Sequence, residues 1–411
     1  MRSPCTAWVS PAAIEGHATR LIYGHICERE RALCQEFVAM TSKPHLILIG
    51  GFLGSGKTTA VAELAERLQE KGLRVGLITN DQGSNLVDTL LLRGQGFATE
   101  EISGGCFCCR FECLVDASNR LARSCRPDVV IAEAVGSCTD LAATVVSPLR
   151  RMHGATVAPL SVLVDPIRAR RALWLEAGTQ FSANVQYIYR KQLEEADLIV
   201  IGKSDMLERE QLEELRGALT REFPCAEVMA VSSHRGTNVA NWLHRLLFGR
   251  PKARKAMPLD YDRYAEGEAR LGWLNSTASV SAAAMFDPGD LLLSLATDIN
   301  RRLREIAAEV AHLKIALESG EEENTAISVI HLVRGDFVPE KGARPGRAIL
   351  GGYLVINLRA EADPQLLSDV IEHAVAGMNT ATRGKLTLQI EKTNAFRPGR
   401  PKPTHRDRNL A

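Results

Sequence analysis

The sequence predicts an α/β protein, in which a doubly wound, mostly parallel sheet is followed by a smaller C-terminal domain of ferredoxin-like α+β type. Length is the first observation, since 411 residues exceed what a single ordinary core holds. From residue 45 onward, short apolar runs alternate with segments long enough for crossover helices, which is typical of parallel sheets. Beyond residue 275 the order changes to β-α-β-β-α-β, the split βαβ arrangement.

The first domain is predicted to span residues 44–249. Its expected strands are short and apolar, and lie at 45–49, 73–79, 128–132, 158–164, 198–201 and 228–231. A helix is expected at 57–71 because apolar residues recur there at helical spacing. Residues 1–43 form a predicted N-terminal extension with Met40 as a candidate start. A helix packed on the domain is the alternative for this segment.

The second domain is predicted to span residues 276–396. Its expected elements alternate in type, with strands at 276–286, 327–333, 350–358 and 386–391 and helices at 289–317 and 364–377. Residues 250–275 are rich in proline and charged side chains and are predicted to be a linker. Residues 397–411 are basic, contain several prolines and are expected to form an irregular tail.

Composition excludes several classes of partner. A formal net charge of +1 provides no field to attract nucleic acid or an anionic membrane. No run approaches the roughly eighteen apolar residues of a membrane span, and no signal-peptide core is visible near the start. The sequence therefore predicts a cytoplasmic protein, whose ten cysteines serve as metal ligands or buried thiols rather than disulfides.

A phosphate-binding motif follows the first predicted strand and opens a predicted helix, the context in which such a motif is meaningful. Backbone N–H groups of its glycines and the helix N-terminus can surround phosphates. Lys57 is expected to reach the β- and γ-phosphates as a catalytic cation, and the Thr58 hydroxyl to bind Mg²⁺. The predicted nucleotide contacts in this loop are Gly51, Gly54, Ser55, Gly56, Lys57, Thr58 and Thr59.

Three thiols lie within four residues at Cys106, Cys108 and Cys109. Thiolates suit Zn²⁺, and three of them leave an open coordination position that favours metal exchange. Redox-active or inert thiols are the alternative. Cys113, one helical turn later, is either a fourth ligand or a buried helix thiol. The other cysteines are interpreted as ordinary thiols, namely Cys5, Cys27, Cys34, Cys125, Cys138 and Cys225.

Two acidic residues end predicted strands on the side where Mg²⁺ and the γ-phosphate would lie. Glu133 is followed by Gly136, and Asp81 belongs to an Asn-Asp-Gln-Gly segment at 80–83. Either acidic residue alone is weak evidence, but two beside a phosphate loop support a catalytic role for both Glu133 and Asp81, with Gly136 near the γ-phosphate.

The segment Gly202-Lys203-Ser204-Asp205 predicts the base. A carboxylate at Asp205 can accept the N1–H and N2–H donors of guanine, and the stem of Lys203 can lie over the ring. Ser232 and Ser233 stand where a small-residue loop would close over the base. GTP is thus favoured. ATP is left open, because the segment resembles the N-K-x-D element that reads guanine but has Gly202 in place of its asparagine, which would add a hydrogen bond.

In this order, the motifs at 51–59, 80–83, 104–109, 133–136 and 202–205 resemble those of the CobW-type branch of the CobW/HypB/UreG metallochaperone GTPases. The resemblance implies hydrolysis of GTP to GDP and phosphate, with Mg²⁺ as cofactor. It also implies delivery of Zn²⁺, Co²⁺ or a metallocofactor to a metal-dependent client protein, and leaves homodimerisation open. This sequence departs from the family pattern at Asp81, which replaces Glu, and at Gly202, which replaces Asn.

Two other functions remain open at this point. One is a nucleotide-switched scaffold or activator with little hydrolysis, for instance in a corrinoid-dependent system. The other is a P-loop kinase for a small molecule, against which the cysteine triplet and the base-reading Asp205 argue.

Overall fold

The computed structural model describes residues 43–83, 87–252, 254–319, 326–336, 340–341 and 348–410. The predicted N-terminal extension at 1–43, with its candidate start at Met40, lies outside these residues apart from its last one. In the described part of the chain, no helix is both long enough and apolar enough to cross a membrane.

The first domain is built on an eight-stranded sheet in which every pairing is parallel. Its strands are β1 His45–Gly51, β2 Val75–Asn80, β3 Ala98–Ile102, β4 Val129–Glu133, β5 Thr156–Val157, β6 Ser161–Val164, β7 Leu198–Ile201 and β8 Glu227–Ala230. The order is β3-β2-β4-β1-β6-β7-β8, with β5 paired to β1. The parallel, doubly wound sheet predicted from the sequence is confirmed, although β3, a half-buried edge strand, carries too few apolar residues to be recognised.

Helices cover both faces of this sheet. They are α1 Lys57–Glu70, α2 Val87–Gly94, α3 Phe111–Ser124, α4 Ser147–His153 (continuous with a π-helical turn at Ala142–Val146), α5 Pro166–Ala172, α6 Ala183–Glu194, α7 Arg209–Glu222 and α8 Val239–Phe248. Alternate residues of β1 supply the two cores, since Ile47 and Ile49 belong to one cluster and Leu46 and Leu48 to the other. The carboxyl ends of the strands therefore meet at one edge, where parallel sheets bind ligands.

The second domain contains an antiparallel sheet with the order β13-β12-β11-β14-β10-β15. Its elements are α9 Tyr261–Arg270, β10 Leu271–Phe286, α10 Pro288–Glu305, β11 Glu309–Ser319, β12 Ala326–Leu332, β13 Glu340–Lys341, β14 Ile349–Glu361, α11 Pro364–Thr382 and β15 Leu386–Phe396. A small ribbon joins β9 Arg254–Lys255 to β16 Asn409–Leu410. The order β15-β10-β14-β11 is that of a ferredoxin-like sheet, so the predicted class is confirmed, with β12 and β13 added at one edge.

The predicted helix at 289–317 is wrong in its second half. Helix α10 ends at Glu305, Ala307 adopts a left-handed φ of 53°, and β11 begins at Glu309. Leu313, Ile315 and Leu317 are buried and recur every two residues, as in a strand. Because they come directly after apolar residues at helical spacing, the sequence does not show where the helix ends. The strand predicted at 327–333 is consequently β12, one of the two strands added to the ferredoxin-like sheet.

Residues 250–275, predicted as a linker, contain α9 and the first residues of the strand β10. Helix α9 packs closely on α6, since a Cβ atom on Gly267 would lie 2.5 Å from the carbonyl oxygen of Asn184. Tyr264 and Glu268 on the same helix are fully buried. Part of the high charge of this segment comes from exposed residues of this packed helix, such as Asp262, Arg263 and Glu266.

The second sheet packs its helix-free face on the first domain. Val87 of α2 contacts Ala316 and Val355 of that face in a small apolar cluster. Beside the cluster runs a row of polar residues in register across five strands, namely His331, Lys314, Asn357, Asn275 and Asn394. Asn357 Oδ1 accepts a hydrogen bond of 3.0 Å from the backbone N–H of Val87. This row of polar side chains thus lies on the face of the second sheet that meets the first domain, near the edge where the carboxyl ends of the first sheet's strands meet.

Candidate nucleotide and metal sites

The predicted phosphate loop connects β1 to α1 and depends on glycines with positive φ. Gly51, Gly54 and Gly56 have φ angles of 129°, 77° and 92°, a region that other residues disfavour. A Cβ atom on Gly51 would lie 2.3 Å from the carbonyl oxygen of Leu163, and one on Gly54 would lie 2.7 Å from that of Ala311. Side chains are therefore excluded at both positions, and Gly54 also touches the second domain.

The remaining predicted contacts of the loop differ in exposure. Ser55 is buried, whereas Thr59 is exposed on the first turn of α1. Gly136 lies directly against the loop, since a Cβ atom there would come within 2.9 Å of the backbone nitrogen of Leu53. The segment that follows Glu133 thus packs on the phosphate loop itself.

Lys57 lies inside the loop. Its buried ammonium donates hydrogen bonds to the carbonyl oxygens of Gly51 at 2.8 Å and Phe52 at 3.2 Å. Burial lowers the pKa of Lys57 to about 8, while the neighbouring Glu133 carboxylate opposes that shift. The side chain therefore remains mostly charged at neutral pH.

Thr58 lies between two acidic side chains. Its Oγ1 is 2.8 Å from Asp88 Oδ1 and 3.1 Å from Glu133 Oε1, so the hydroxyl can donate to either carboxylate. Burial raises the pKa of Glu133 to about 7, and the negative charge of Asp88 adds to the effect. Asp88 was not predicted as a site residue, because nothing in an acidic first turn of a helix distinguishes it from ordinary helix capping.

This donor set fits the predicted magnesium ion. One hydroxyl and two carboxylates are the hard oxygen ligands that Mg²⁺ takes in proteins. Glu133 Oε2 is buried and has no hydrogen-bond partner within the described part of the chain. An oxygen in this condition has a lone pair available for a cation or a water.

Asp81 makes contacts of a different kind from those of Glu133. Its Oδ1 accepts hydrogen bonds from the backbone N–H of Gly83 at 2.8 Å and from Nη2 of Arg359 at 3.0 Å. Arg359 is fully buried in the second domain and lies 4.2 Å from the ring centre of Trp273. The carboxylate thus ties the 80–83 segment to the second domain, and its predicted catalytic role stays a prediction.

The second domain places a cation in the site. Lys314 Nζ lies 2.6 Å from Asp88 Oδ2 and 3.4 Å from Thr58 Oγ1. Although burial works in the opposite direction, this ammonium holds the pKa of Asp88 below its ordinary value. Sequence reasoning missed Lys314 because it was assigned to a helix and lies 226 residues from Asp88.

The predicted base-reading residues stand at the ends of β7 and β8. Lys203 has a left-handed φ of 49°, and its Nζ donates to the Gly54 carbonyl oxygen at 3.0 Å and to Asp165 Oδ2 at 2.9 Å. The carboxylate of Asp205 is partly exposed and lies 3.7 Å from Nε of Arg235. Asp205 is therefore open to a ligand, while the stem of Lys203 lies against the phosphate loop.

A short loop closes this end of the site. Ser232 is buried and its Oγ accepts a hydrogen bond of 3.1 Å from the backbone N–H of Arg235, while Ser233 is half-buried. A Cβ atom on Gly202 would lie 3.3 Å from the carbonyl oxygen of Ser55. The position that lacks the expected asparagine is thus adjacent to the phosphate loop.

The three predicted metal ligands converge. The Sγ atoms of Cys106, Cys108 and Cys109 all lie within 4.8 Å of one another, with separations of 2.9, 3.5 and 3.7 Å. Hydrogen bonding with the side chains of Cys108 and Cys109 lowers the pKa of Cys106. Cys113 is half-buried on α3 and does not belong to this group.

A fourth thiol approaches the group from another segment. Cys138 is buried, and its Sγ lies 3.8 Å from that of Cys108. The interpretation of Cys138 as an ordinary thiol stays a prediction, but the fold brings this residue from the loop after β4 to the triplet, where its sequence position does not place it. A spacing of 30 residues in sequence gives no signal of this kind.

Asn80 joins the nucleotide and cysteine segments. Its Nδ2 donates to the carbonyl oxygens of Ile102 at 3.0 Å and Gly105 at 2.7 Å. Its Oδ1 accepts from the backbone N–H of Phe107 at 3.0 Å. The side chain at the end of β2 therefore holds both ends of the turn that carries Cys106.

Residues 400–407 cross the cysteine turn, and we call them the C-terminal strap. The backbone N–H of Lys402 donates to Cys109 Sγ at 3.2 Å, and that of Thr404 donates to the Cys108 carbonyl oxygen at 2.8 Å. Nε of Arg406 lies 2.6 Å from Oδ2 of the buried Asp140. The tail, which was predicted to be irregular, is thus held by hydrogen bonds against Cys108 and the half-buried Cys109.

Residues 45–229 match the family described as "CobW/HypB/UreG, nucleotide-binding domain". The chain is 29% identical over 190 residues to the zinc chaperone CobW of Sinorhizobium sp, covering 41% of this chain and 53% of that one. It is 32% identical over 161 residues to the zinc chaperone YeiR of Escherichia coli (strain K12), covering 38% and 46%. The chain thus spans about half the length of these curated relatives.

Among solved structures, the Zn(II)-bound YjiA GTPase from E. coli is 15% identical and aligns with a TM-score of 0.34, over 82% of this chain and 99% of that chain. HypB from Helicobacter pylori in complex with nickel is 19% identical with a TM-score of 0.37, over 54% and 91%.

Proposed function

Because residues 45–229 belong to the CobW/HypB/UreG family of nucleotide-binding domains, we propose that this chain is a metal-handling GTPase. It hydrolyses GTP to GDP and phosphate, and the nucleotide state controls the binding of Zn²⁺ or Co²⁺ at the cysteine group and its delivery to a client protein. Relatives named zinc chaperones favour Zn²⁺. Thiolate ligands require a reducing compartment, so the proposal places the chain in the cytoplasm.

The observation that carries this proposal is the pair of hydrogen bonds that Asn80 makes on either side of Cys106. Asn80 begins the 80–83 segment beside the phosphate loop, and the same side chain fixes Gly105 and Phe107. A displacement of this segment by a γ-phosphate must therefore move or strain the cysteine turn. Ordering of a loop by γ-phosphate is a known type of nucleotide switch.

On the nucleotide side, Lys57 would stabilise the charge of the transferring phosphoryl group, because it is a protonated cation inside the phosphate loop. Thr58, Asp88 and Glu133 would hold Mg²⁺, which supplies Lewis-acid neutralisation of phosphate charge when bound. Glu133 Oε2 can also orient an attacking water and accept its proton, since it has no hydrogen-bond partner in the described part of the chain.

Lys314 extends the switch to the second domain. Its ammonium and a magnesium ion at Thr58 would compete for the carboxylate of Asp88, which lies 2.6 Å from Nζ. Loading of the nucleotide site would therefore weaken or rearrange one contact between the domains. A change in domain contact is a means of signalling nucleotide state to a client.

The test is a titration of Zn²⁺ into the reduced, full chain with GDP and with a non-hydrolysable GTP analogue, both with Mg²⁺. Coupling between sites is typically ~1–3 kcal/mol, so the affinities should differ by roughly 5–150-fold. Linkage requires bound Zn²⁺ to change nucleotide affinity by the same factor. Asn80→Ala should reduce this factor, whereas Asn241→Asp, on the exposed surface of α8, should not.

Two results would contradict the proposal. Equal Zn²⁺ affinities in both nucleotide states would leave the cysteines without a nucleotide-dependent role. Unchanged metal stoichiometry in Cys108→Ser would show that the metal does not bind at the cysteine group. Turnover of GTP by the wild type, abolished in Lys57→Ala, separates the GTPase from a nucleotide-switched scaffold.

A further inference from the structure

We propose that Cys138 is a fourth metal ligand, which completes a tetrathiolate site with Cys106, Cys108 and Cys109 for one Zn²⁺ or a similar thiophilic divalent cation. This inference rests on the proposed function, because it assumes that the cysteine group binds metal. It changes the expected chemistry, since four thiolates close the coordination shell that three would leave open.

The separations of the sulfur atoms support this assignment. Zn–S bonds of about 2.3 Å in a tetrahedron place the sulfur atoms about 3.8 Å apart. The Sγ of Cys108 lies 3.8 Å from that of Cys138 and 3.7 Å from that of Cys109. Cys106 and Cys109 are 3.5 Å apart, whereas the 2.9 Å separation of Cys106 and Cys108 must widen. Cys138 lies outside the group whose sulfur atoms are all within 4.8 Å of one another, so its Sγ must also approach that group when the metal binds.

Cys138 is held in place by protein contacts of its own. Nε2 of the buried Gln192 donates to the carbonyl oxygens of Gly136 and Cys138, both at 2.9 Å. The adjacent Thr139 donates through Oγ1 to Glu195 at 3.1 Å. The backbone at Cys138 is therefore held by α6 and by the residue that follows it, through contacts that do not involve the cysteine turn.

A ligand at Cys138 would connect the metal to a second segment that lies near the phosphate loop. Cys138 lies two residues after Gly136, which packs on the phosphate loop, whereas the turn carrying Cys106 is held by Asn80. Glu268 Oε1 joins the two segments, because it accepts from Ser137 Oγ at 2.6 Å and from Gln82 Nε2 at 3.2 Å. A tetrathiolate centre would thus bind the two segments together, and separating them would remove one ligand.

The decisive measurement is zinc K-edge X-ray absorption on the full, reduced chain loaded with one Zn²⁺ and no nucleotide. We expect the wild type to show four sulfur neighbours at about 2.3 Å. Cys138→Ser should show three sulfurs and one lighter neighbour at about 2.0–2.1 Å. Loss of a residue that only hydrogen-bonds to a metal ligand lowers metal affinity by about 10–100-fold. Cys138→Ser removes a ligand itself, so its Zn²⁺ affinity should fall by at least this factor.

Cys225→Ser is the matched control, because Cys225 is an exposed thiol of another segment, and it should keep four sulfurs. Three sulfurs in the wild type would overturn the inference without requiring any variant to fold. An unchanged spectrum and affinity in Cys138→Ser would overturn it as well. Both results leave the proposed function intact provided that Cys108→Ser loses the metal, whereas metal retention in Cys108→Ser would defeat the proposed function itself.

Discussion

The ammonium of Lys314 lies 2.6 Å from a carboxylate oxygen of Asp88, and the two residues belong to different domains. Their side chains are 15% and 17% exposed, so water screens the pair less than it screens a surface ion pair. Thr58, whose hydroxyl is the predicted magnesium ligand, lies beside both of them. One contact therefore contributes to domain association and to the electrostatics of the nucleotide site.

We predict a coupling of about 1–3 kcal/mol between Lys314 and Asp88 in a double-mutant cycle. The estimate lies between the small values of exposed pairs and the 3–5 kcal/mol lost when a buried pair is broken. Lys314→Met, Asp88→Asn and the double variant would be compared by the free energy of unfolding in denaturant, without nucleotide or Mg²⁺.

The matched control is Lys392→Met, which removes an exposed lysine from β15 of the same sheet and should change stability little. Additive effects of Lys314→Met and Asp88→Asn would show that the pair contributes nothing as a pair. Lys314→Met should also lower the Mg²⁺ concentration needed for half-maximal GTP hydrolysis, because Asp88 loses its competing cation.

Asp205 is predicted to select guanine. Hydrogen bonds to a charged group contribute about 1.5–3 kcal/mol, so Asp205→Asn should lower the preference for GTP over ATP by roughly 10–150-fold. The preference is measured by competition of the two nucleotides for one preparation of protein. Glu213→Gln, an exposed acidic residue on α7, controls for loss of a surface charge.

An equal preference in Asp205→Asn and wild type would assign base selection to other residues. Absence of any GTP preference in the wild type would show that Gly202, in place of asparagine, has cost the site its specificity.

The pH dependence of hydrolysis is predicted to be bell-shaped. Burial raises the pKa of Glu133 to about 7, so its carboxylate form, needed to accept a proton, accumulates as pH rises through that value. Burial lowers the pKa of Lys57 to about 8, so its cationic form is lost above that value. The kcat/KM for GTP should therefore rise through about pH 7 and fall beyond about pH 8, the values belonging to the interacting pair.

Stability gives an independent check of the Glu133 shift. A raised carboxyl pKa means that the folded chain holds this proton more tightly than the unfolded chain, whose value is near 4.5. Ionisation of Glu133 thus destabilises the fold progressively from about pH 4.5 to about pH 7. Glu133→Gln should be more stable than the wild type at pH 8 and similar to it at pH 4. A stability difference independent of pH would contradict the shift.

Local sequence signals predicted the parts of the site that lie in one segment. The phosphate loop and the cysteine triplet each combine fixed residue types with short spacing, and the structure places them as expected around Lys57 and Cys108. Asp88, Cys138 and Lys314 could not be predicted in this way. Each becomes a site residue only through tertiary contacts, and nothing in its neighbours along the chain distinguishes it from helix capping, a buried thiol or a surface lysine.

The same reason explains the error in the second domain. A helical stripe up to Leu303 is followed without a proline or glycine by the alternating apolar residues of β11, so the two periods merge in the sequence. The left-handed turn at Ala307 separates them. Only after this turn does Lys314 fall on the sheet face that meets Asp88.

The C-terminal strap is predicted to retain metal. Its Lys402 backbone N–H donates to Cys109 Sγ at 3.2 Å, and hydrogen bonds of this kind support a thiolate ligand. A chain ending at Gly399 lacks the strap, so its Zn²⁺ affinity should fall by about 10–100-fold and a chelator should remove its Zn²⁺ faster. Lys402→Pro deletes the N–H donor together with the lysine side chain, and Pro403 already restricts residue 402 to an extended backbone. This variant should lose affinity while the strap stays attached through Arg406 and Asp140.

Lys402→Ala is the control for that substitution, because it removes the ammonium and keeps the N–H. Its Zn²⁺ affinity and its release to a chelator should match those of the wild type. A loss in Lys402→Ala equal to that in Lys402→Pro would assign the effect to the charge of the side chain. Unchanged affinity and release in the chain ending at Gly399 would show that the strap covers the cysteine turn without stabilising the bound metal.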